Sequence, residues 1–147
     1  MPSATEVYIG RTVDITISVQ NQGDLSETFQ VTCKYELQGI EHVIGVITVD
    51  NLPPNTTTTL TFTWITTDVT VHKIKAEIPP LTDETDTADN SMTSPVTVKV
   101  KMLGDVNGDD YVGIDDIIVA GEHFGESPER PRWNLDCDMN LDNYIGI

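Results

Sequence analysis

The sequence predicts a mainly β fold, a two-sheet sandwich of about seven strands over residues 1–102, followed by a small loop–helix segment over residues 103–147. Three observations predict it. Short apolar/polar alternations recur between turn signals from residue 6 to 101, no helical period interrupts them, and beyond Gly104 acidic loops replace them.

Val13, Ile15, Ile17 and Val19 alternate with Asp14, Thr16, Ser18 and Gln20, a half-buried strand that ends at Asn21-Gln22-Gly23-Asp24. Phe29, Val31, Cys33, Tyr35 and Leu37 form the next inward row, and Gln38-Gly39 marks a turn. Val43 to Val49 reads as one strand or as two short ones, because Gly45 interrupts it. Pro53 and Pro54 then stop the sheet, since proline offers no ladder donor. Leu60, Phe62 and Trp64 point inward behind a threonine-rich outer face. His72, Ile74, Ala76 and Ile78 follow, with Val71, Lys73, Lys75 and Glu77 outside and Pro79-Pro80 as the stop. Val96, Val98 and Val100 close the domain after an acidic turn, Thr82 to Asn90. About seven strands in roughly 100 residues match an immunoglobulin-like β-sandwich.

The formal charge of −16 is unevenly placed: residues 1–103 hold six basic and 13 acidic groups, while residues 104–147 hold two and 11. That balance repels nucleic acid and anionic membrane surfaces, which need clustered Lys and Arg. No apolar run approaches the roughly 20 residues of a membrane span, so membrane insertion is not expected. Cys33 alternates with apolar neighbours and reads as a buried thiol; a bridge to Cys137 is not expected. His42, His72 and His123 lack zinc-site spacing, and His72 reads as a partly buried sandwich residue. Trp64 reads as core, and Trp133 as packing the helix of the second segment against a loop. Asp83, Glu84, Asp86 and Asp89 read as an acidic turn held by local hydrogen bonds in preference to a cation site. Asn55-Thr56-Thr57 is a glycosylation triplet on a loop. Nucleophile–His–acid groupings, nucleophile elbows and phosphate-cradling glycine loops are all lacking, so the chain is not expected to be an enzyme.

The chemistry sits in Asp105-Val106-Asn107-Gly108-Asp109-Asp110-Tyr111-Val112-Gly113-Ile114-Asp115-Asp116. Oxygen-bearing side chains at loop positions 1, 3, 5 and 12, with the Tyr111 carbonyl at position 7, have the spacing with which an EF-hand-type loop wraps Ca²⁺. A water is expected at position 9, Gly113, and a helix from Asp115 to Phe124, acidic at its start and apolar along Ile117, Ile118, Gly121 and Phe124. Asp138 to Ile147 repeats the first ten positions 33 residues later, with Asp, Asn, Asp, Tyr, Gly and Ile identical in place.

These paired D-x-N-x-D loops, with a helix after the first and none in front, resemble a type I dockerin, a module that docks onto cohesin domains in extracellular complexes. The resemblance implies a dockerin-like EF-hand-type module with Ca²⁺ held by Asp105, Asn107, Asp109, Asp116 and the Tyr111 carbonyl. In the second loop it implies Asp138, Asn140, Asp142 and the Tyr144 carbonyl. Position 6, usually Gly, is Asp110 or Asn143, residue types that tolerate a left-handed backbone. Positions 10 and 11, which help to choose the cohesin, are Ile114 and Asp115; with Glu122 they are the candidate partner-binding residues. The chain stops at Ile147, two residues before the second loop's closing carboxylate, so the second site reads as incomplete and the sequence as cut from a longer chain.

Val19-Gln20-Asn21-Gln22-Gly23, Leu52-Pro53-Pro54 and Glu84 to Asn90 resemble the CARDB-type adhesion-related domains of prokaryotic surface proteins. The expectation is a non-catalytic extracellular or cell-surface protein, its leader absent, that docks through the dockerin with the sandwich as adhesion or spacer domain. The alternatives are a structural stalk rigidified by Ca²⁺ and a carbohydrate-binding accessory domain with exposed aromatics on one sheet.

Overall fold

The alternation along Thr12–Gln20 is realised residue by residue: Val13, Ile15, Ile17 and Val19 are buried and the polar residues between them exposed. The computed structural model, which describes residues 1–82 and 84–146, has seven strands among the described residues. They are β1 (Glu6–Tyr8), β2 (Thr12–Gln20), β3 (Glu27–Leu37), β4 (Ile40–Leu52), β5 (Thr57–Ile65), β6 (Val71–Glu77) and β7 (Ser91–Lys101). Contacts divide the chain into two units, residues 1–100 and 101–147.

In the first unit, β1, β7, β6, β3 and β4 form one sheet in that order, and β2 pairs antiparallel with β5 in the other. The inward rows of both sheets, among them Ile15, Val31, Phe62, Trp64, Val98 and Val100, make one core. Val43 to Val49 lies in a single 13-residue strand, with Gly45 at a register shift opposite Cys33. A Cβ at Gly45 would come 3.3 Å from the Phe62 ring, which accounts for the glycine.

Three sequence expectations need correction. The closing strand begins at Ser91, five residues before Val96, and β1 is an additional strand too short to show alternation. His72 is fully buried, not partly: its ring stands edge-on to Tyr35 and Trp64, with centroids 5.1 and 5.0 Å away. Its Nε2 lies 2.9 Å from the Asp68 carbonyl, while Nδ1 has no partner among the described residues.

Cys33 and Cys137 are free and buried, and burial pushes the Cys33 thiol up to about 11. In the acidic turn, Glu84 accepts from the Leu81 amide and the Asn90 side chain, and Asp86 from the Ala88 amide. Asp83 lies outside the described residues.

The second unit holds helix α1 (Ile114–Glu122) and a one-turn 3₁₀ helix, Leu135–Cys137. Its core is Val106, Cys137 and Ile145, with Val119, Ala120 and Trp133 partly buried against it.

Candidate metal centre

Aspartate and asparagine side chains bond readily to backbone amides a few residues ahead, and in both acidic loops they do so in the same way. Asp105 Oδ1 accepts from the Asp109 amide at 3.1 Å and Oδ2 from the Asp110 amide at 2.9 Å. At the same positions 33 residues on, Asp138 accepts from the amides of Asp142 at 3.2 Å and Asn143 at 2.9 Å. Asn107 and Asn140 accept from the amides of Asp109 and Asp142, and those two aspartates accept from the amides of Tyr111 and Tyr144. The Asn107 side-chain amide reaches Asp109 at 3.1 Å, and that of Asn140 reaches Asp142 at 2.9 Å. Five hydrogen bonds therefore repeat one for one, and Asp110 and Asn143 both take the left-handed backbone expected of position 6, each with φ 65°.

Two further features of the repeat were not read from the sequence. Position 4 is left-handed too: Gly108 has φ 79° and Leu141 φ 59°. A left-handed conformation costs an L residue roughly 1–2 kcal/mol, which glycine avoids at the expense of about 0.5–1 kcal/mol of backbone entropy. Leu141→Gly is therefore expected to stabilise the unit by up to about 1 kcal/mol, measured by thermal melting. The second feature is what stands against the position-9 glycine already read from the sequence. A Cβ on Gly113 would lie 2.9 Å from the Tyr111 ring, and one on Gly146 would overlap the Tyr144 ring, so in each loop a side chain there would require the exposed tyrosine ring two residues earlier to turn aside.

The first loop also includes Asp116, on the first turn of α1. Its Oδ1 accepts from the amides of Val106 at 2.8 Å and Asn107 at 3.1 Å, and its Oδ2 from that of Gly113, the helix N-cap, at 2.7 Å. These bonds, that of Gly113 foremost, hold its carboxyl below the usual carboxylate range. The carboxylate thereby ties loop start to helix start, and with Asp115 it places negative charge where the helix dipole favours it.

Whether these residues suit a hard cation turns on burial. Asp105 and Asp116 are 3 % exposed and Asp138 1 % exposed, and among the described residues no Lys, Arg or His is paired with them. Buried carboxylates without a counter-ion are costly, and an all-oxygen donor set is what Ca²⁺ takes. The residues fit on that ground. They are not a preformed cluster: among the described residues no three His, Cys, Asp or Glu side chains are grouped so as to hold a metal ion. Asp105 and Asp116 are turned onto backbone amides, and Asp109 onto Asn107 and the Tyr111 amide.

Helix α1 departs from its expected bounds. It begins at Ile114 and ends at Glu122, where Asp115 to Phe124 was expected. Its apolar side is not its packed side. Ile114, Ile117, Ile118 and Phe124 are 68 %, 67 %, 54 % and 58 % exposed, while Asp116, Val119 and Ala120 face inward. Ile114, Asp115 and Glu122, the candidate partner-binding residues, are all exposed. Behind the helix, Gly125 donates to the Ile145 carbonyl at 2.7 Å and Ile145 to the Glu126 carbonyl at 3.0 Å, bracing the second loop.

The first unit defines an immunoglobulin-like, two-sheet β domain, with no exposed aromatic among its described residues. The CARDB family model matches residues 2–94, and the chain belongs to that family. The loops lie outside the matched residues.

Solved structures agree on the fold. A CARDB domain from Pyrococcus furiosus, crystallised in complex with di-metal ions, is 22 % identical with a TM-score of 0.53, over 65 % of this chain and 84 % of that one. The solution structure of a CARDB domain from the same organism gives 21 % identity and a TM-score of 0.51, over 66 % and 86 %. A beta-glucosidase from Listeria innocua in complex with isofagomine, 11 % identical with a TM-score of 0.51, is matched over 68 % of this chain but only 15 % of the enzyme. Curated proteins yield no match.

Proposed function

We propose that residues 101–147 form a Ca²⁺-dependent docking module of the dockerin type, with a cohesin-like domain as partner. In this reading the CARDB domain serves as the adhesion or spacer part of an extracellular or cell-surface protein without catalytic activity. The observation that carries it is the one-for-one repetition of five loop hydrogen bonds at an offset of 33 residues, built from oxygen ligands alone.

Ca²⁺ would be held by Asp105, Asn107, Asp109, Asp116 and the Tyr111 carbonyl, and in the second loop by Asp138, Asn140, Asp142 and the Tyr144 carbonyl. It would supply the positive charge that the buried carboxylates lack. The chain's own part is to orient. Asp116 fixes the start of α1, and α1 turns Ile114, Ile117 and Ile118 to solvent, an apolar stripe suited to a protein partner. The carbohydrate-binding alternative calls for exposed aromatics on one sheet, and the burial of Trp64 and Phe62 favours docking over it. The stalk alternative shares the Ca²⁺ chemistry and differs only in lacking a partner.

The test is capture of the purified chain by immobilised cohesin domains, with Ca²⁺ and with a chelator. Capture that needs Ca²⁺ and is lost in Ile114→Glu, a variant that keeps its calorimetric Ca²⁺ heat, is the expected result. Ca²⁺ binding with no capture by any cohesin would favour the stalk, and no Ca²⁺ heat at millimolar concentration would end both readings.

A further inference from the structure

The two sheets of the first unit are unequal, five strands against two, so part of the larger sheet's inner face has no strand over it among the described residues. Ala76 and Met92 are register partners on that face, yet Met92 is 60 % exposed. The uncovered region is a cleft of about 740 Å³, in the range of binding pockets, with the edge of β2 from Ile17 to Asn21 along one side.

That edge is half used. Residues 1–3 lie antiparallel along β2, with Ser3 donating to the Asp14 carbonyl at 2.7 Å and Thr16 donating to the Met1 carbonyl at 2.9 Å. Backbone groups alternate sides along a strand, so the amides and carbonyls of Ser18 and Gln20 point the same way as those of Asp14 and Thr16. On the other side of β2, Asn21 donates to the Thr56 carbonyl beside β5. Nothing among the described residues continues the line of residues 1–3 past Ser18 and Gln20.

We propose that this cleft accepts an extended peptide by strand addition, in line with residues 1–3 and paired to Ser18 and Gln20. The alternation of a strand sends every second side chain onto Ala76, Ile78 and Met92, which calls for apolar residues there. Charge selects the rest. Asp24, Asp86 and Asp89 line the cleft, and its described lining contains no Lys, Arg or His, so the peptide is one with Lys or Arg between its apolar residues.

The probe is a blocked hexapeptide of alternating lysine and valine, with glutamate in place of lysine as the control. It is titrated into the ¹⁵N-labelled 147-residue chain in EDTA, which keeps the Ca²⁺ chemistry of the loops out of the readout. Amide shifts at Ser18, Gln20 and Met92 are expected with the lysine peptide and none with the glutamate peptide. Affinity is expected to fall at least about tenfold in Asp24→Asn/Asp89→Asn and in Ser18→Pro. Proline at 18 removes an outward amide without touching the pairing to β5, and native dispersion of the spectrum checks that this variant folds. Where it does not fold, the double neutralisation decides. Shifts confined to other surfaces, equal binding of both peptides, or no shift at millimolar peptide would overturn the proposal.

Discussion

On the proposed Ca²⁺ reading, Asp105→Asn is expected to lower Ca²⁺ affinity at the first loop by about two orders of magnitude while leaving the metal-free loop folded. Affinity at such sites follows the number of charged ligands, and Asn107 is already neutral, so the loop has little charge to spare. The structural role of the side chain is separable from its charge. Oδ1 accepts from the amides of Gly108 at 2.8 Å and Asp109 at 3.1 Å, bonds that an asparagine oxygen can keep. Only the bond from Asp110 to Oδ2 is lost, a cost on the order of 1–2 kcal/mol. Asp105→Ala removes both acceptor oxygens, and with them three amide hydrogen bonds, from a side chain that is 3 % exposed, so about 3 kcal/mol or more is expected. Calorimetry with Ca²⁺ and circular dichroism in chelator together read both effects. Equal Ca²⁺ affinity in the asparagine variant and the parent would show that Asp105 serves the fold alone.

Trp64→Ala is expected to cost the first unit about 3–5 kcal/mol, a large share of the 5–15 kcal/mol that holds a typical domain together. Trp64 is 4 % exposed and packs its ring 4.9 Å from Tyr35 and 5.0 Å from His72, centroid to centroid. Truncation leaves a void beside an imidazole whose Nδ1 already lacks a partner among the described residues. Guanidinium unfolding followed by far-ultraviolet circular dichroism measures the loss, and Trp64→Phe, which keeps a ring in the site, is expected to lose clearly less. A difference under about 1 kcal/mol between parent and alanine variant would mean that the aromatic cluster is peripheral to the core.

Strand positions were legible where one face is wet and the other dry. Along Thr12–Gln20 and Glu27–Leu37 the period of two is complete, and the buried residues are the ones that period selects. It failed at β1, too short to show a period, and at the start of β7, where the polar Ser94 stands between Met92 and Val96 and breaks the apolar alternation. In the loops, spacing marked the oxygen-bearing side chains, and the structure gives both loops the same bonds. The left-handed turn at Leu141 was invisible, because leucine is among the residues least suited to it.

Helix α1 shows why the remainder was out of reach. Apolar spacing marks which residues share a side, but which side is buried depends on what the chain supplies to cover it. Here Val106, Cys137 and Ile145 meet the side of Val119 and Ala120, and the isoleucines stay outside. Local sequence by itself determined the strand faces, the loop oxygens and the excess of acid, since each follows from neighbours a few residues apart. Only the tertiary structure decided the unequal sheets with their acidic cleft, the depth of His72 and the outward turn of α1, because burial is a property of partners distant in sequence.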